Sequence, residues 1–268
     1  MQIIVLGMHR SGTSLTTRLI NMMGAYFAPK NLWLEANTDN PKGFWERTDV
    51  LAINRGLMQA NGCMWYRVDK WDDSRIHTPS PLMDGMKATL GELNEHKLWV
   101  LKDPRMCITL PCWLQHLSSP VAVITARNPL EIARSLELRN AMPIKYGLAL
   151  WEYHAVGIIR HTYNLPKIFT SHEAMLESCV STTVKLCDEL LEHAPTLALP
   201  STEDIVEFIS PSLKRAHASY GELNAHQQTI DAMLRGKAAF DADIHVSDDA
   251  KRIMRELGDS ISGAPINH

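Results

Sequence analysis

The first 24 residues, MQIIVLGMHRSGTSLTTRLINMMG, constrain the fold more than any other stretch. Gln2–Leu6 is a short apolar run rich in β-formers, long enough for one buried strand. Gly7 ends it, Ser11, Gly12, Thr13 and Ser14 follow, and Leu15, Leu19, Ile20 and Met23 then recur at helical spacing. The pattern is strand, tight loop, helix, with the loop at the carboxyl end of the strand. The first amides of such a helix have no internal partners, and its dipole presents partial positive charge there. An anion site is expected, with phosphate its usual occupant.

The spacing sharpens that expectation. Gly7 and Gly12 stand five apart, as in the GxxxxGK[ST] loop of nucleotide-binding enzymes. Thr13 replaces the lysine of that loop, Ser14 keeps the hydroxyl, and positive charge appears earlier, as Arg10. The loop suits phosphate but lacks the lysine that reaches a triphosphate's outer phosphates. A purely structural glycine turn is the competing reading, and it leaves the cation and the hydroxyls without a reason.

Composition bounds the rest. A chain of 268 residues, 45% hydrophobic and 21% charged, supports one large α/β domain or such a domain with a helical appendage. A net charge of −3 argues against a dedicated nucleic-acid binder. The five cysteines, Cys63, Cys107, Cys112, Cys179 and Cys187, form no CxxC pair, so reduced thiols in a cytoplasmic protein are expected and a zinc site is not. Cys107 and Cys112 read as packing residues in an apolar stretch. The apolar start is too short for a signal peptide and is interrupted by His9 and Arg10; no membrane-spanning run follows.

Strand-like runs at residues 98–101 (LWVL), 121–126 (VAVITA) and 167–170 alternate with helical patterns at residues 50–61, 81–96, 110–117, 129–139, 146–163 and 175–193. This predicts an α/β fold: a three-layer parallel sheet flanked by helices, of the P-loop type. Residues 1–195 are expected to form the core, and residues 196–268 a helical extension packed on it. Residues 25–49 read as an irregular connection, of a length that in compact domains is usually functional. Its Trp33, Phe44 and Trp45 either cover a ligand or anchor the loop to the core. Arg10, Lys102 and Arg127 each follow a predicted strand, where ligands of open α/β sheets bind.

GMHRSGTS, followed by KDPR and by RNPLEIARS, resembles the PAPS-dependent sulfotransferase family (PAPS is 3′-phosphoadenosine 5′-phosphosulfate). In that family an RSGT-type loop holds the 5′-phosphosulfate, and an arginine followed eight positions later by a serine holds the 3′-phosphate. Here those positions are Arg127 and Ser135. The likeness is clearest across residues 3–140. It implies a donor site of Arg10, Ser11, Gly12, Thr13, Ser14, Arg127 and Ser135, with PAPS as donor co-substrate and no metal. Arginine's planar fork and serine's neutral donor suit a phosphate; a strand-end salt bridge for Arg127 and a surface hydroxyl for Ser135 are the structural alternatives.

The Lys-Asp-Pro sequence resembles that of tyrosylprotein sulfotransferases and implies that Lys102 supports the transition state, together with Arg10. Arg105 is read as holding Asp103 or the ligand. Glu46 is the first choice for the base that takes the acceptor's proton, its neighbouring aromatics desolvating it, with a cap or salt bridge to the next helix as its structural alternative; Glu35 is second and His9 third. Ser171 and Glu173 read as a helix start, and Lys214 and Arg215 as a solvated turn or a closure over the 3′-phosphate. The expected partners are the nucleotide donor and a hydroxyl or amine acceptor, a carbohydrate or small metabolite, with no nucleic acid and no membrane; the sequence does not give the oligomeric state. Two other functions fit parts of the pattern. A P-loop kinase or NTPase would use Asp103 as its metal-supporting aspartate, and a non-catalytic module would bind PAP, the desulfated nucleotide, without turnover.

Overall fold

The computed structural model describes residues 1–37, 40, 42–209 and 223–261. Lys214 and Arg215 lie outside the described residues. Four parallel strands, β1 (Gln2–Leu6), β2 (Trp99–Lys102), β3 (Pro120–Ala126) and β4 (Lys167–Ser171), form one sheet in the order β2-β1-β3-β4. The register aligns Ile4 with Leu101 on one side and with Ala122 on the other.

β1 is buried at every position because helices cover both faces of the sheet. Ile4, Leu6, Leu101, Ala122 and Ile124 point into the larger core, and Ile3, Val5, Val100, Val121 and Val123 into the other. Period-2 alternation thus divides one apolar run between two cores. The larger core receives α2 (Thr48–Ala60), α3 (Ser80–Leu93), α4 (Met106–Leu114), α5 (Pro129–Asn140) and α6 (Ile144–His161). The other receives α1 (Thr13–Met22), α7 (His172–Glu177), α8 (Cys179–Leu191) and α9 (Thr202–Phe208). The later helices α10 (Ala225–Leu234) and α11 (Asp248–Ile261) pack on α6. Among the described residues no helix is long and apolar enough to cross a membrane.

Two helices differ from the expectation. α4 starts at Met106, not near Leu110. Its sequence, MCITLPCWL, is too uniformly apolar to show a period, and Pro111 sits inside it. Proline has no N–H to give the carbonyl four residues earlier. Here His161 on α6 supplies one instead, its Nδ1 lying 3.1 Å from the Cys107 carbonyl. The expected helix over residues 175–193 is two, broken at Ser178 (φ −138°, ψ 56°). The first begins earlier, at His172, because Ser171 caps it by accepting the Ala174 N–H.

The sheet order carries the functional consequence. From β1 the chain moves to β2 on one side and then crosses to β3 on the other. The crevice beyond the carboxyl end of β1 is therefore the switch point of the sheet, where open α/β folds bind ligands.

Candidate active site

The loop after β1 is built by close approach. A Cβ on Gly7 would stand 2.5 Å from Ser11 Oγ and 2.8 Å from the Thr125 carbonyl oxygen of β3, so only glycine fits. The Ser11 hydroxyl and amide both donate to the Met8 carbonyl, at 2.7 and 3.1 Å, which closes the turn. Ser11 thus spends its hydroxyl on the loop. Arg10 is held at φ 72°, an uncommon value for a side-chain-bearing residue, and Gly12 follows at φ 92° as the N-cap of α1. Among the described residues no side chain caps that helix start.

Strand β3 then brings its residues to the same loop. Arg127 Nη1 donates to the Arg10 carbonyl at 2.8 Å, across 117 residues of sequence. Arg10 Nε donates to Ser135 Oγ at 2.8 Å, across 125 residues. Ser135 is reached because Asn128 caps α5 through the Leu130 N–H and Pro129 opens it, so residue 135 lies about two turns in. One expected alternative is also present, with a partner that no motif marked: Arg127 Nε donates to Glu131 Oε2 at 3.0 Å, a buried pair. Its only signal is a glutamate four residues on.

Strand β2 delivers Lys102, 1% exposed, to the other side of the loop. Its ammonium donates to Glu46 Oε1 at 2.7 Å, to the Phe44 carbonyl at 2.6 Å and to Ser14 Oγ at 3.2 Å. Two of the three residues singled out for catalysis thus touch. The aromatics take the second of their two expected roles: Trp45 packs on Phe27 and Trp33, with the Arg18 guanidinium 4.7 Å above its ring. They anchor the loop, and Glu46 faces cations: Lys102, and Arg105 at 3.9 Å. Arg47 ties down the end of that loop through Asp49 and Glu92. Glu35 is exposed on the loop surface. Asp103 is buried and accepts from the Arg105 amide and guanidinium at 2.8 and 3.0 Å. Ser14 also receives Asn40 Nδ2 at 3.3 Å and itself donates to the Phe44 carbonyl at 2.7 Å. Glu173 accepts from the Asn128 amide and pairs with Arg235, and these contacts hold its carboxyl below the usual range although burial opposes them.

His9 is buried with its ring 4.7 Å from Trp65 and 6.2 Å from His154. Burial, then the charges of Arg105 and Arg139, push its pKa well below the usual value. Burial takes His154 down to about 4, opposed by its bond to the Leu150 carbonyl. That carbonyl can only accept, so Nδ1 carries the proton and Nε2 is left as a bare acceptor. Trp65, Arg139 and His154 carried no motif in the sequence. Cys107 and Cys112 are buried, as packing residues should be, and burial pushes the Cys107 thiol up to about 12.

No protein-family model matches the chain, and no curated protein sequence matches it. Two solved structures are similar to it. A sulfotransferase domain from the curacin biosynthetic pathway aligns at 16% identity over 96% of each chain, with a TM-score of 0.45. A sulfotransferase domain from the Synechococcus PCC 7002 olefin synthase aligns at 16% identity over 96% of this chain and 94% of that one, with a TM-score of 0.43.

Proposed function

We propose that this protein transfers a sulfuryl group from PAPS to a hydroxyl or amine acceptor and releases PAP. One observation carries the reading: Arg10, Arg127 and Ser135, far apart in sequence, close on one another through two 2.8 Å bonds at the start of α1. A helix N-terminus without a side-chain cap, flanked by two guanidinium groups and a hydroxyl, suits a nucleotide with phosphate at both ends. The residues present fit PAPS: Arg10 to Ser14 for the 5′ end, Arg127 and Ser135 for the 3′-phosphate.

In this mechanism the acceptor oxygen or nitrogen forms a bond to sulfur while the bond from sulfur to the 5′-phosphate oxygen breaks. The electron pair of the broken bond leaves on that phosphate, and the acceptor's proton passes to Glu46. Lys102 and Arg10 balance the charge that develops on the leaving phosphate. Lys102 already uses all three of its N–H donors, so it must exchange one to reach the donor. The bond to Ser14, the longest at 3.2 Å, is the one it gives up. Arg105 occupies Asp103 Oδ1, while Asp103 Oδ2 has no hydrogen-bond partner among the described residues.

A thermal-shift panel of PAP, adenosine 5′-phosphosulfate, AMP and Mg·ATP tests the reading. PAP should stabilise most, by about 2.7 kcal/mol at a hundredfold excess over its Kd. Stabilisation by Mg·ATP without PAP would replace this reading with an NTPase or kinase. Tight PAP binding with no turnover on any hydroxyl or amine would leave a nucleotide-binding module.

A further inference from the structure

The helical extension reaches the strand end that carries Arg127. Asn128, the next residue, donates its amide to Glu173 Oε1 at 2.7 Å. Glu173 stands in the first turn of α7. His172, just before it, packs on the loop after β1: a Cβ on Gly12 would come within 2.7 Å of the His172 ring. Arg235, which directly follows α10, closes on Glu173 from the extension. Its Nη2 donates to Glu173 Oε1 at 3.1 Å and its Nη1 to Oε2 at 3.3 Å. Its Nε donates to Asp231 Oδ2, one turn back on α10, at 2.7 Å. Arg235, Glu173 and Asn128 thus form a chain of contacts from the extension to the end of β3.

Fastening α10 to the core does not require this chain. Ile230, Met233 and Leu234 are buried in the larger core and hold the helix by apolar packing. Gly236 seats the following turn on β4, where a Cβ would come within 2.8 Å of the Phe169 ring. What the chain adds is direction. Asn128 caps α5 by accepting the Leu130 N–H, so its position sets both the end of β3 and the start of that helix. Arg127 precedes it, and Ser135 lies on the helix it starts. One carboxylate therefore fixes the point between the two residues assigned to the 3′-phosphate. A hydrogen bond to an ionised carboxylate is shorter and stronger than a neutral one, and a guanidinium fork holds both carboxylate oxygens in plane. The charges at this point are matched: Arg127 with Glu131, and Arg235 with Glu173 and Asp231.

We propose that Arg235 is a positioning residue for the nucleotide: through Glu173 it holds the Arg127–Ser135 segment in the geometry that binds the 3′-phosphate. The inference rests on the sulfuryl-transfer reading and gives the helical extension a part in donor binding. Without Arg235, the largely buried Glu173 carboxylate loses its counter-charge and turns toward water, and the Asn128 amide loses its acceptor. Arg127 and Ser135 then drift together relative to the loop, and the 3′-phosphate loses contacts that the 5′-phosphate keeps.

The test is calorimetric titration of full-length protein with PAP and with AMP, which lacks the 3′-phosphate, well below the melting temperature of each variant. Arg235→Gln should weaken PAP about tenfold and leave AMP within about twofold of wild type. Arg235→Lys, which keeps the charge but not the fork, should recover part of that loss. The Arg235→Gln/Glu173→Gln double variant should lose no more than the larger of the two single losses, because the residues act in series. Equal losses for PAP and AMP make Arg235 a purely structural residue and overturn the proposal. Unchanged PAP affinity, or losses that add in the double variant, overturn it too. Should Arg235→Gln fail to fold, Arg235→Lys decides by the same comparison: a PAP loss that AMP does not share supports the proposal, and any other result overturns it. Wild-type protein that binds PAP no more tightly than AMP sinks the sulfuryl-transfer reading itself, and this proposal with it.

Discussion

Replacing Glu46 by glutamine separates catalysis from architecture. The pair it disrupts is buried on both sides, with Lys102 Nζ 2.7 Å from Glu46 Oε1. Removing one member of a buried pair costs about 3–5 kcal/mol when the other is left alone. Here Lys102 keeps the Phe44 carbonyl at 2.6 Å and Ser14 Oγ at 3.2 Å, and the glutamine amide oxygen still accepts from it. The weaker contact to Arg105, at 3.9 Å, also survives as an interaction with a neutral group. The expected loss is therefore about 2 kcal/mol, and at about 2–4 °C per kcal/mol for a chain of this size the melting temperature falls by about 4–8 °C. Turnover should fall far more, by about 10²–10⁴, the usual worth of a positioned base. Release of PAP from PAPS, followed with any acceptor that the wild type uses, measures the second effect; scanning calorimetry with and without PAP measures the first. An unchanged rate refutes Glu46 as the base. Loss of the PAP-induced shift refutes it differently, by placing Glu46 in the donor site. Lys102→Met is the companion, since it strands the carboxylate in the interior without its closest cation, and it should be less stable than Glu46→Gln.

Ser135→Ala removes the hydroxyl that Arg10 Nε reaches; a hydrogen bond to a charged group is worth about 1.5–3 kcal/mol. PAP should bind about 10- to 150-fold more weakly by calorimetry while AMP, lacking the 3′-phosphate, is unaffected; equal losses for both would remove Ser135 from the 3′ site. Gly7→Ala forces a methyl against the β3 backbone at 2.8 Å and should cost about 1–3 kcal/mol in chemical denaturation. Gly91→Ala on α3, with nothing within 4 Å, should be neutral or stabilising by up to about 1 kcal/mol. His154 falls from its usual 6.5 to about 4 on folding, so its neutral form stabilises the fold above pH 6.5 and that stability drains away as pH drops through 4. Melting curves across that window should converge for wild type and His154→Gln as the pH falls; a constant gap would contradict the assignment.

The loop after β1 was legible because its signals are local. A strand that must be apolar throughout, a loop that tolerates only glycine at Gly7, and a helix start with hydroxyls leave a mark within a dozen residues. Arg127 and Ser135 were legible for a related reason: a strand end and two helical turns fix their separation whatever surrounds them. The start of α4 was not, since an all-apolar helix has no period, and the contact that makes Pro111 tolerable comes from His161 on another helix. The choice between the two roles of the aromatics stayed open for the opposite reason. A tryptophan beside a glutamate in sequence is not beside it in space when the backbone at Trp45 turns to φ 53° and sends neighbouring side chains apart.

The cluster around His9 was illegible because none of it is local. His9, Arg55, Trp65, Arg105, Arg139 and His154 come from six segments, and no two share a spacing that a motif would record. What joins them is the sheet order: placing β1 between β2 and β3 sets the phosphate loop at the centre, the Arg127 side to one hand and the Lys102 side to the other. Phosphate recognition can rely on backbone amides and a helix dipole, which any sequence of the right shape supplies. Discrimination among acceptors needs side chains, and side chains from distant segments can be exchanged one at a time without disturbing the loop. The loop and the cluster should therefore respond differently to substitution. Changes in Gly7 or Gly12 should damage the loop and the fold together, whereas a change at Arg139, on α5, should leave the loop intact.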